Sequence, residues 1–147
     1  MARLDFRFRF PMRVRYAECD AQRVVFNSRY LEYLDVGVTE YWRAAGLFAL
    51  PEPFESHVAR TLIEYKAPLR NDEAFEVCLR TTRVGRSSMT QVWEIHGGSE
   101  GDDLRASGET VAVHVDLDTN RPLPVPDDIV RRFEAFEGRA LRLEKAA

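Results

Sequence analysis

The sequence predicts an α+β fold in which an antiparallel sheet packs against one long helix. Apolar residues alternate with a period of two in several segments, one segment repeats them at helical spacing, and the order is strand, long helix, four strands, short helix. A run of strands after a single helix is typical of α+β domains. The chain of 147 residues is long enough for a sizeable core, and residues 1–147 are expected to form one domain.

The first strand is predicted over residues 6–16, where aromatic or aliphatic side chains alternate with arginine. This period of two gives the strand one buried and one solvated face. Pro11 cannot donate a hydrogen bond to a neighbouring strand. The paired part therefore begins near Met12, or the strand lies at an edge of the sheet.

The long helix is predicted between Ser28 and Gly46. Ser28 or Asn27 is expected to cap its start with a side chain, and Gly46 to end it in the left-handed conformation. Gly37 in mid-helix costs about 1 kcal/mol relative to alanine, so we expect it to let another backbone come close. The apolar positions that indicate a broad buried face are Tyr30, Leu31, Leu34, Val38, Tyr41, Trp42 and Ala45.

Four more strands and a short helix follow. The strands are predicted within residues 59–69, 73–84, 89–96 and 104–117, separated by turn-forming residues. A proline-rich stretch after the last strand is expected to be a stiff connector. The short helix begins at Asp127, with acidic residues at its positive end, and ends at Gly138. The tail 139–147 is expected to be frayed.

Composition argues against several classes of function. The net charge of −3 is unfavourable for bulk nucleic-acid binding. The N-terminal residues lack the apolar core of a signal peptide, and no apolar run approaches the ~20 residues that span a bilayer. Cys19 and Cys78 form no CxxC motif, which favours reduced thiols in a cytoplasmic protein. The three histidines, His57, His96 and His114, lack metal-ligand spacing, so no metal site is expected.

Asp20 is the best catalytic candidate from the residues themselves. It follows the first strand and precedes the long helix, so its carboxylate is expected at a strand end, facing the positive end of that helix. Most aspartates at such positions are only turn residues, and spacing alone favours that interpretation. The neighbouring Glu18 is expected to be solvated, and Cys19 to behave as a small hydrophobic residue and not as a nucleophile.

Three segments resemble the hotdog-fold acyl-CoA thioesterases, in particular the branch related to 4-hydroxybenzoyl-CoA thioesterase. The most specific is YAECDAQRVVFNSRYLEY at residues 16–33, and the others are EYKAP at 64–68 and GRSS at 85–88. The resemblance covers about residues 8–130. It implies a hotdog fold, with the antiparallel sheet wrapped around the long helix, and hydrolysis of an acyl- or aryl-CoA thioester without a cofactor or metal.

The resemblance assigns catalysis to Asp20 and Asn27. Asp20 would act as general base toward water or as a direct nucleophile, and backbone N–H groups near Asn27 would bind the oxyanion. The sequence departs from the family at Gln22-Arg23, where glycine is common, so the loop is expected to have a different shape. Many relatives carry histidine in place of Asn27, so a histidine-dependent mechanism is not expected here.

Candidate substrate-binding residues form two groups. Arginine and serine side chains in one turn suit the phosphates of coenzyme A, although solvated turn charges explain them equally well. These are Arg83, Arg86, Ser87 and Ser88, with Arg60 as a weaker candidate of the same kind. The candidates for the thioester and acyl part are Val25, Phe26, Tyr30 and Thr61, for which core packing is the alternative.

A free sheet edge and an incomplete site predict a homodimer with the substrate between protomers. The family resemblance adds a dimer of dimers. Two alternative functions stay open. One is a non-catalytic module that binds acyl-CoA, and the other is a hotdog dehydratase or hydratase, against which the lack of a histidine near the helix counts. The identity of the acyl group stays open as well.

Overall fold

The structure is a computed structural model that describes residues 2–143. The predicted order of strands and helices is confirmed. The elements are β1 (Phe8–Arg13), α1 (Arg29–Ala44), β2 (Ser56–Tyr65), β3 (Ala74–Val84), β4 (Ser88–Gly97), β5 (Leu104–His114) and α2 (Asp127–Glu137). Short 3₁₀ turns lie at Arg3–Asp5, Tyr16–Glu18 and Leu47–Ala49.

The strands form one sheet of five in the order β1-β3-β4-β5-β2, and every neighbouring pair is antiparallel. Helix α1 packs against β3 and β1 on one face of this sheet. Between them lies an apolar core that includes Tyr33, Leu34, Val77, Leu79 and Trp93. This is the predicted antiparallel sheet wrapped around a long helix, with α2 packed on β3.

The close approach expected at Gly37 exists, but it involves side chains and not a second backbone. A Cβ atom at Gly37 would lie 2.7 Å from Val77 Cγ1 and 3.3 Å from Leu79 Cδ1. The missing side chain therefore lets α1 sit directly on two residues of β3. An alanine here would require β3 or α1 to shift.

The two ends of α1 differ from one another. Gly46 has a φ of 84°, so the helix is followed by the left-handed glycine that the sequence predicts. At the other end, neither Ser28 nor Asn27 donates or accepts a side-chain capping hydrogen bond, and the expected side-chain cap is wrong. The first three N–H groups of α1, of Arg29, Tyr30 and Leu31, instead donate to backbone carbonyls three residues earlier in the chain.

The two edges of the sheet are also unlike. Pro11 on β1 pairs with Glu76 on β3, and β1 is an edge strand of the sheet, which confirms the edge position predicted from the proline. At the opposite edge, eight of the ten residues of β2 are exposed. Val58 and Tyr65 are 65% and 50% exposed. The Tyr65 end of β2 packs against Tyr30 of α1, and most of the rest of the strand has no covering layer among the described residues.

The C-terminal tail is ordered further than the sequence predicts. Leu141 is buried, its N–H donates to Glu134 Oε2 at 2.7 Å, and its carbonyl accepts from the Val84 N–H at 2.8 Å. The expected fraying is therefore wrong for this segment, because a leucine anchors it between α2 and β3. The last part of the predicted tail, 144–147, lies outside the described residues.

Candidate active site

Asp20 lies in a tight turn and not at a strand end, because β1 already ends at Arg13. Its N–H donates to Val24 O at 2.9 Å, and its Oδ1 accepts from the Gln22 N–H at 2.8 Å. Within residues 2–143, its Oδ2 has no hydrogen-bond partner from the protein. One carboxylate oxygen thus shapes the turn, and the other is available for chemistry.

Arg23 supplies the unusual backbone conformation of this turn. Its φ is 65°, which is the left-handed region that glycine occupies without a steric penalty. The Arg23 N–H donates to Asp20 O at 3.0 Å and closes the turn. The backbone conformation that glycine would have permitted is therefore present here without a glycine.

The turn leads directly to the start of α1. The Val25 N–H donates to Leu69 O at 2.8 Å, and the Phe26 N–H donates to Glu18 O at 2.9 Å. In the part of the chain that the structure describes, the next two N–H groups, of Asn27 and Ser28, have no acceptor. Two free donors therefore lie at the positive end of α1, where a developing negative charge is stabilised.

A pocket of about 200 Å³ opens beside these donors. The Tyr65 hydroxyl donates to Asn27 O at 3.0 Å, and the Leu69 N–H donates to the Tyr30 hydroxyl at 3.0 Å. Burial raises the pKa of Tyr30, so this ring stays neutral. The lining residues are Val25, Asn27, Tyr30, Tyr65, Lys66, Ala67 and Pro68. The structure thus brings three of the candidate residues together, whereas Asp20 is not part of the lining.

Sequence reasoning missed Tyr65 and Lys66 as residues of this pocket. Both belong to the EYKAP segment, which was noted only for its resemblance to the family. The sequence signal was that resemblance alone, because nothing in the segment itself indicates that the Tyr65 hydroxyl reaches Asn27 O. The pairing of β2 with β5, which sets that position, follows from the tertiary structure.

Glu18 is buried, so the expectation of a solvated side chain is wrong. Only 5% of its surface is exposed. Its Oε1 accepts from the Tyr33 hydroxyl at 2.8 Å and from the Arg15 N–H at 2.7 Å. Burial and the hydrogen bond to Glu18 raise the pKa of Tyr33. Through these two hydrogen bonds, the Glu18 carboxylate connects the segment before Asp20 to the first turns of α1.

Among the remaining candidates, Phe26 lies beside this pocket, and the others lie away from it within one chain. Arg60 forms an ion pair with Glu109 at 3.2 Å on the sheet face opposite α1. Thr61 is the next residue of β2, so its side chain lies on the α1 face. Phe26 is 47% exposed beside the pocket. The arginine and serine turn at residues 83–88 lies at the opposite end of β3 from the Asp20 loop. With 11 residues in β3, this separation is on the order of 30 Å.

No cluster of three or more metal-ligating side chains occurs among the described residues. Cys19 and Cys78 are not bridged to one another. No helix within residues 2–143 is long and apolar enough to cross a membrane.

Known proteins similar to this chain share its fold and much of its length. The sequence model of the thioesterase-like superfamily matches residues 14–133. The acyl-CoA thioesterase YbgC of Haemophilus influenzae is 30% identical over 135 residues, covering 88% of this chain and 96% of that protein. The acyl-CoA thioester hydrolase YbgC of Escherichia coli O6:H1 is 28% identical over 130 residues, covering 86% and 96%.

One solved structure has a sequence identity to this chain that is close to that of the two YbgC proteins. The thioesterase of Thermus thermophilus, crystallised with coenzyme A and zinc, superposes with a TM-score of 0.80 at 29% identity, covering 93% of this chain and 98% of that one. Fold, sequence and matched length agree with each other. The chain therefore belongs to the thioesterase-like superfamily and has the hotdog fold.

Proposed function

We propose that this protein hydrolyses the thioester bond of an acyl-CoA, giving free coenzyme A and a carboxylic acid. The observation that carries the proposal is the pair of free N–H groups, of Asn27 and Ser28, at the start of α1 beside the Asp20 loop. A thioester carbonyl oxygen becomes negatively charged when it is attacked, and such donors stabilise that charge. The names of the Haemophilus influenzae and Escherichia coli relatives support the same reaction.

Asp20 is proposed as the group that activates the reaction. As general base, its free Oδ2 takes a proton from water while the water oxygen bonds to the carbonyl carbon. The tetrahedral intermediate then collapses, the C–S bond breaks, and the proton passes to the departing thiolate. As nucleophile, the same oxygen bonds to the carbonyl carbon and the C–S bond breaks, which releases the thiolate and leaves an anhydride; water then cleaves the anhydride to the carboxylic acid and the Asp20 carboxylate, and a proton passes to the thiolate. Both routes use the same oxyanion donors.

The proposed functional unit is a homodimer, for which the exposed β2 edge is the interface. An edge strand with unpaired backbone groups can pair with a second copy and extend the sheet. Antiparallel pairing of two β2 strands inverts their ends. The partner's Arg86 turn then lies at the same end as Asp20, whereas within one chain the two lie at opposite ends. Coenzyme A would therefore bridge both subunits, and a dimer of dimers is our proposal for the full assembly.

Thiol release from a panel of acyl-CoAs tests the proposal. Asp20→Asn keeps the turn, because the amide oxygen still accepts from the Gln22 N–H, but it removes the carboxylate. We expect loss of hydrolysis by at least about 100-fold with unchanged folding. Asp5→Asn is the matched control, since Asp5 Oδ2 also accepts a turn N–H at 3.0 Å, in the 3₁₀ turn before β1 and outside the proposed β2 interface.

Two outcomes would contradict the proposal. Undiminished turnover by Asp20→Asn would remove the assigned acid. Binding of acyl-CoA to the wild-type protein without thiol release would instead show a non-catalytic acyl-CoA-binding module, for which Asp20 acts only in its turn.

A further inference from the structure

Three segments that are distant in the chain meet at the turn between β3 and β4, which carries Arg86. The Arg86 carbonyl accepts from the Val125 N–H at 2.8 Å, in the connector before α2. The Ser87 carbonyl accepts from the His114 N–H at 2.8 Å, at the end of β5. The third segment is the C-terminal tail, which reaches the turn through Arg142. The conformation of this turn therefore depends on contacts with the rest of the chain.

The tail pairs with the end of β3. The Val84 N–H donates to Leu141 O at 2.8 Å, and the Leu143 N–H donates to Val84 O at 2.9 Å. These two bonds place Arg142 in a parallel bridge with Val84, the last residue before the turn. On its other side, the tail is bound to α2, because Glu134 Oε2 accepts from the Leu141 N–H at 2.7 Å. Both β3 and α2 thus fix the position of Arg142 next to the turn.

The guanidinium group of Arg142 joins the turn to the connector before α2. Its Nη1 donates to Gly85 O at 3.0 Å, and its Nη2 donates to Val125 O at 2.9 Å. A planar guanidinium can bridge two fixed carbonyls in this way, whereas the ammonium group of a lysine is a single point charge. Arg142 therefore sets the distance between the turn and the connector.

The Arg86 side chain differs from that of Arg142. It is exposed, and among the described residues its guanidinium contacts only the neighbouring Ser87 hydroxyl, at 3.5 Å. The Arg142 side chain is 34% exposed, and two of its nitrogens donate to backbone carbonyls. Both arginines line a cavity of about 700 Å³, a volume that is typical of small-molecule sites. Arg86 is thus available to a ligand, whereas Arg142 is engaged with the protein.

A negative charge beside Arg142 makes direct binding of a phosphate by this residue unfavourable. Its Nη2 lies 3.1 Å from Asp127 Oδ1, at the start of α2. A phosphate at the same nitrogen would meet the carboxylate, and two like charges at such a distance repel one another. The contacts of Arg142 therefore favour a role in holding the turn over a role as a phosphate ligand.

We propose that Arg142 is a positioning residue for coenzyme A, which holds the Arg86 turn in the conformation that binds the phosphates. The inference rests on the proposed function, in which coenzyme A meets this turn. Arg142 lies beyond residue 133, where the match to the family's sequence model ends, so membership of the family assigns it no role. Because the phosphates belong to the nucleotide and not to the acyl group, Arg142 should affect binding of coenzyme A and not the chemical step.

The first test compares two substrates with the same thioester. One is the acyl-CoA that the protein hydrolyses best, and the other is the pantetheine thioester of the same acyl group, which lacks the nucleotide and all phosphates. Arg142→Ala should raise KM for the acyl-CoA by about 10-fold at unchanged kcat, and leave kcat/KM for the pantetheine thioester as in the wild type. A general structural defect would lower kcat/KM of both substrates equally, and that result would overturn the inference.

Arg139→Ala is the matched control. Arg139 lies in the same tail and is exposed, but it donates to Thr81 O at 3.4 Å, before the end of β3. It should leave KM for both substrates unchanged. Arg142→Lys keeps the positive charge but cannot bridge the carbonyls of Gly85 and Val125, so KM should rise nearly as much as in Arg142→Ala. A wild-type KM in Arg142→Lys would show that charge alone is needed and would contradict the positioning role.

A double-mutant cycle separates positioning from direct binding. Isothermal titration calorimetry gives the Kd of coenzyme A for the wild type, Arg86→Ala, Arg142→Ala and the double variant. If Arg142 acts through the turn, each single variant should weaken binding by about 10-fold, and the double variant should bind no more weakly than Arg86→Ala. Losses that multiply to about 100-fold would mean that Arg142 contacts coenzyme A independently, and would overturn the inference.

The failure of the underlying proposal would look different. If the wild-type protein binds no coenzyme A, or if Arg86→Ala binds it equally well, the assignment of this turn is wrong and the inference is wrong with it. If Arg86→Ala weakens binding but Arg142→Ala does not, the phosphate site stands and only the positioning role is overturned. These titrations involve no hydrolysis, so they decide both points even if no acyl-CoA is cleaved.

Discussion

Two tyrosines of α1 donate hydrogen bonds to carboxylates at opposite ends of the helix. Tyr33 donates to Glu18 beside the candidate site, and Tyr41 donates to Glu137 at the contact between α1 and α2. Burial is the main cause that raises the pKa of each tyrosine, and the neighbouring carboxylate adds to it. The two pairs use the same chemistry in different surroundings.

The surroundings determine what each pair does. Glu18 is buried and also accepts from the Arg15 N–H, so this pair fixes the segment that leads to Asp20. Glu137 is half-buried, and Tyr41 has a second partner in Thr81 Oγ1 at 2.9 Å. The first pair therefore positions the site, whereas the second holds two helices on the sheet. A comparison of matched variants can separate these roles.

Removal of the carboxylates should give the largest difference. Glu18→Ala leaves the buried Tyr33 hydroxyl and the part-buried Arg15 N–H without their acceptor and should cost about 2–3 kcal/mol of unfolding free energy. It should also lower kcat/KM on the order of 100-fold, because a shift of about 1 Å at a reacting group has that effect. Glu137→Ala should cost about 1–2 kcal/mol, with activity close to that of the wild type. Urea unfolding and thiol release measure both. Equal loss of activity in the two variants would contradict the division of roles.

Removal of the hydroxyl groups should give a smaller difference. Tyr33→Phe and Tyr41→Phe each delete one donor, and each should cost about 1 kcal/mol of unfolding free energy. Only Tyr33→Phe should lower kcat, and by less than Glu18→Ala, because Glu18 keeps its bond from the Arg15 N–H. If Tyr41→Phe lowered kcat as much as Tyr33→Phe, the helix as a whole, and not its start, would position the site.

Alkaline pH should lower the unfolding free energy through both tyrosines. In the unfolded chain these tyrosines lose their protons near pH 10, whereas the folded protein retains them because their pKa values are raised. The unfolded state then binds fewer protons, so the unfolding free energy falls as the pH rises above about 10. Urea titrations between about pH 9 and 11 should show this slope. Tyr33→Phe and Tyr41→Phe should each make it shallower, and an unchanged slope would contradict the assignment.

The smallest expected effect concerns the turn itself. Arg23→Gly removes the steric cost of a positive φ but adds entropy to the unfolded chain, so the unfolding free energy should rise by no more than about 1 kcal/mol. Asp72→Gly is the control, because Asp72 also has a φ of 65° but belongs to a turn next to β3. A change in kcat with Arg23→Gly alone would link the turn conformation to the position of Asp20.

The order and type of the main elements could be predicted because they depend on local pattern. Alternation identified the strands, helical spacing identified α1, and Pro11, Gly46 and Gly138 marked an edge and two helix ends. The resemblance at residues 16–33 directed attention to Asp20 and Asn27. The role of Asp20 as the catalytic acid stays a prediction, since the geometry shows only that one of its oxygens is free.

Other features could not be obtained from the sequence. Burial of Glu18 depends on Tyr33, which lies 15 residues away in the chain. Order in the tail depends on the packing of Leu141 between α2 and β3. The same alternating strand pattern describes a strand inside a sheet and a strand at its edge, so β2 could not be recognised as the exposed edge before its neighbours were known.

By itself, the sequence determined which segments form helices and strands, where α1 ends, and which family the chain resembles. These properties follow from side-chain periodicity and backbone preferences within a few residues. Within the described residues, only the tertiary structure decided that the N–H groups of Asn27 and Ser28 stay free, that Glu18 is buried, and that β2 is the exposed edge of the sheet. The physical reason is that hydrogen-bond satisfaction and burial depend on contacts between residues that are distant in the chain.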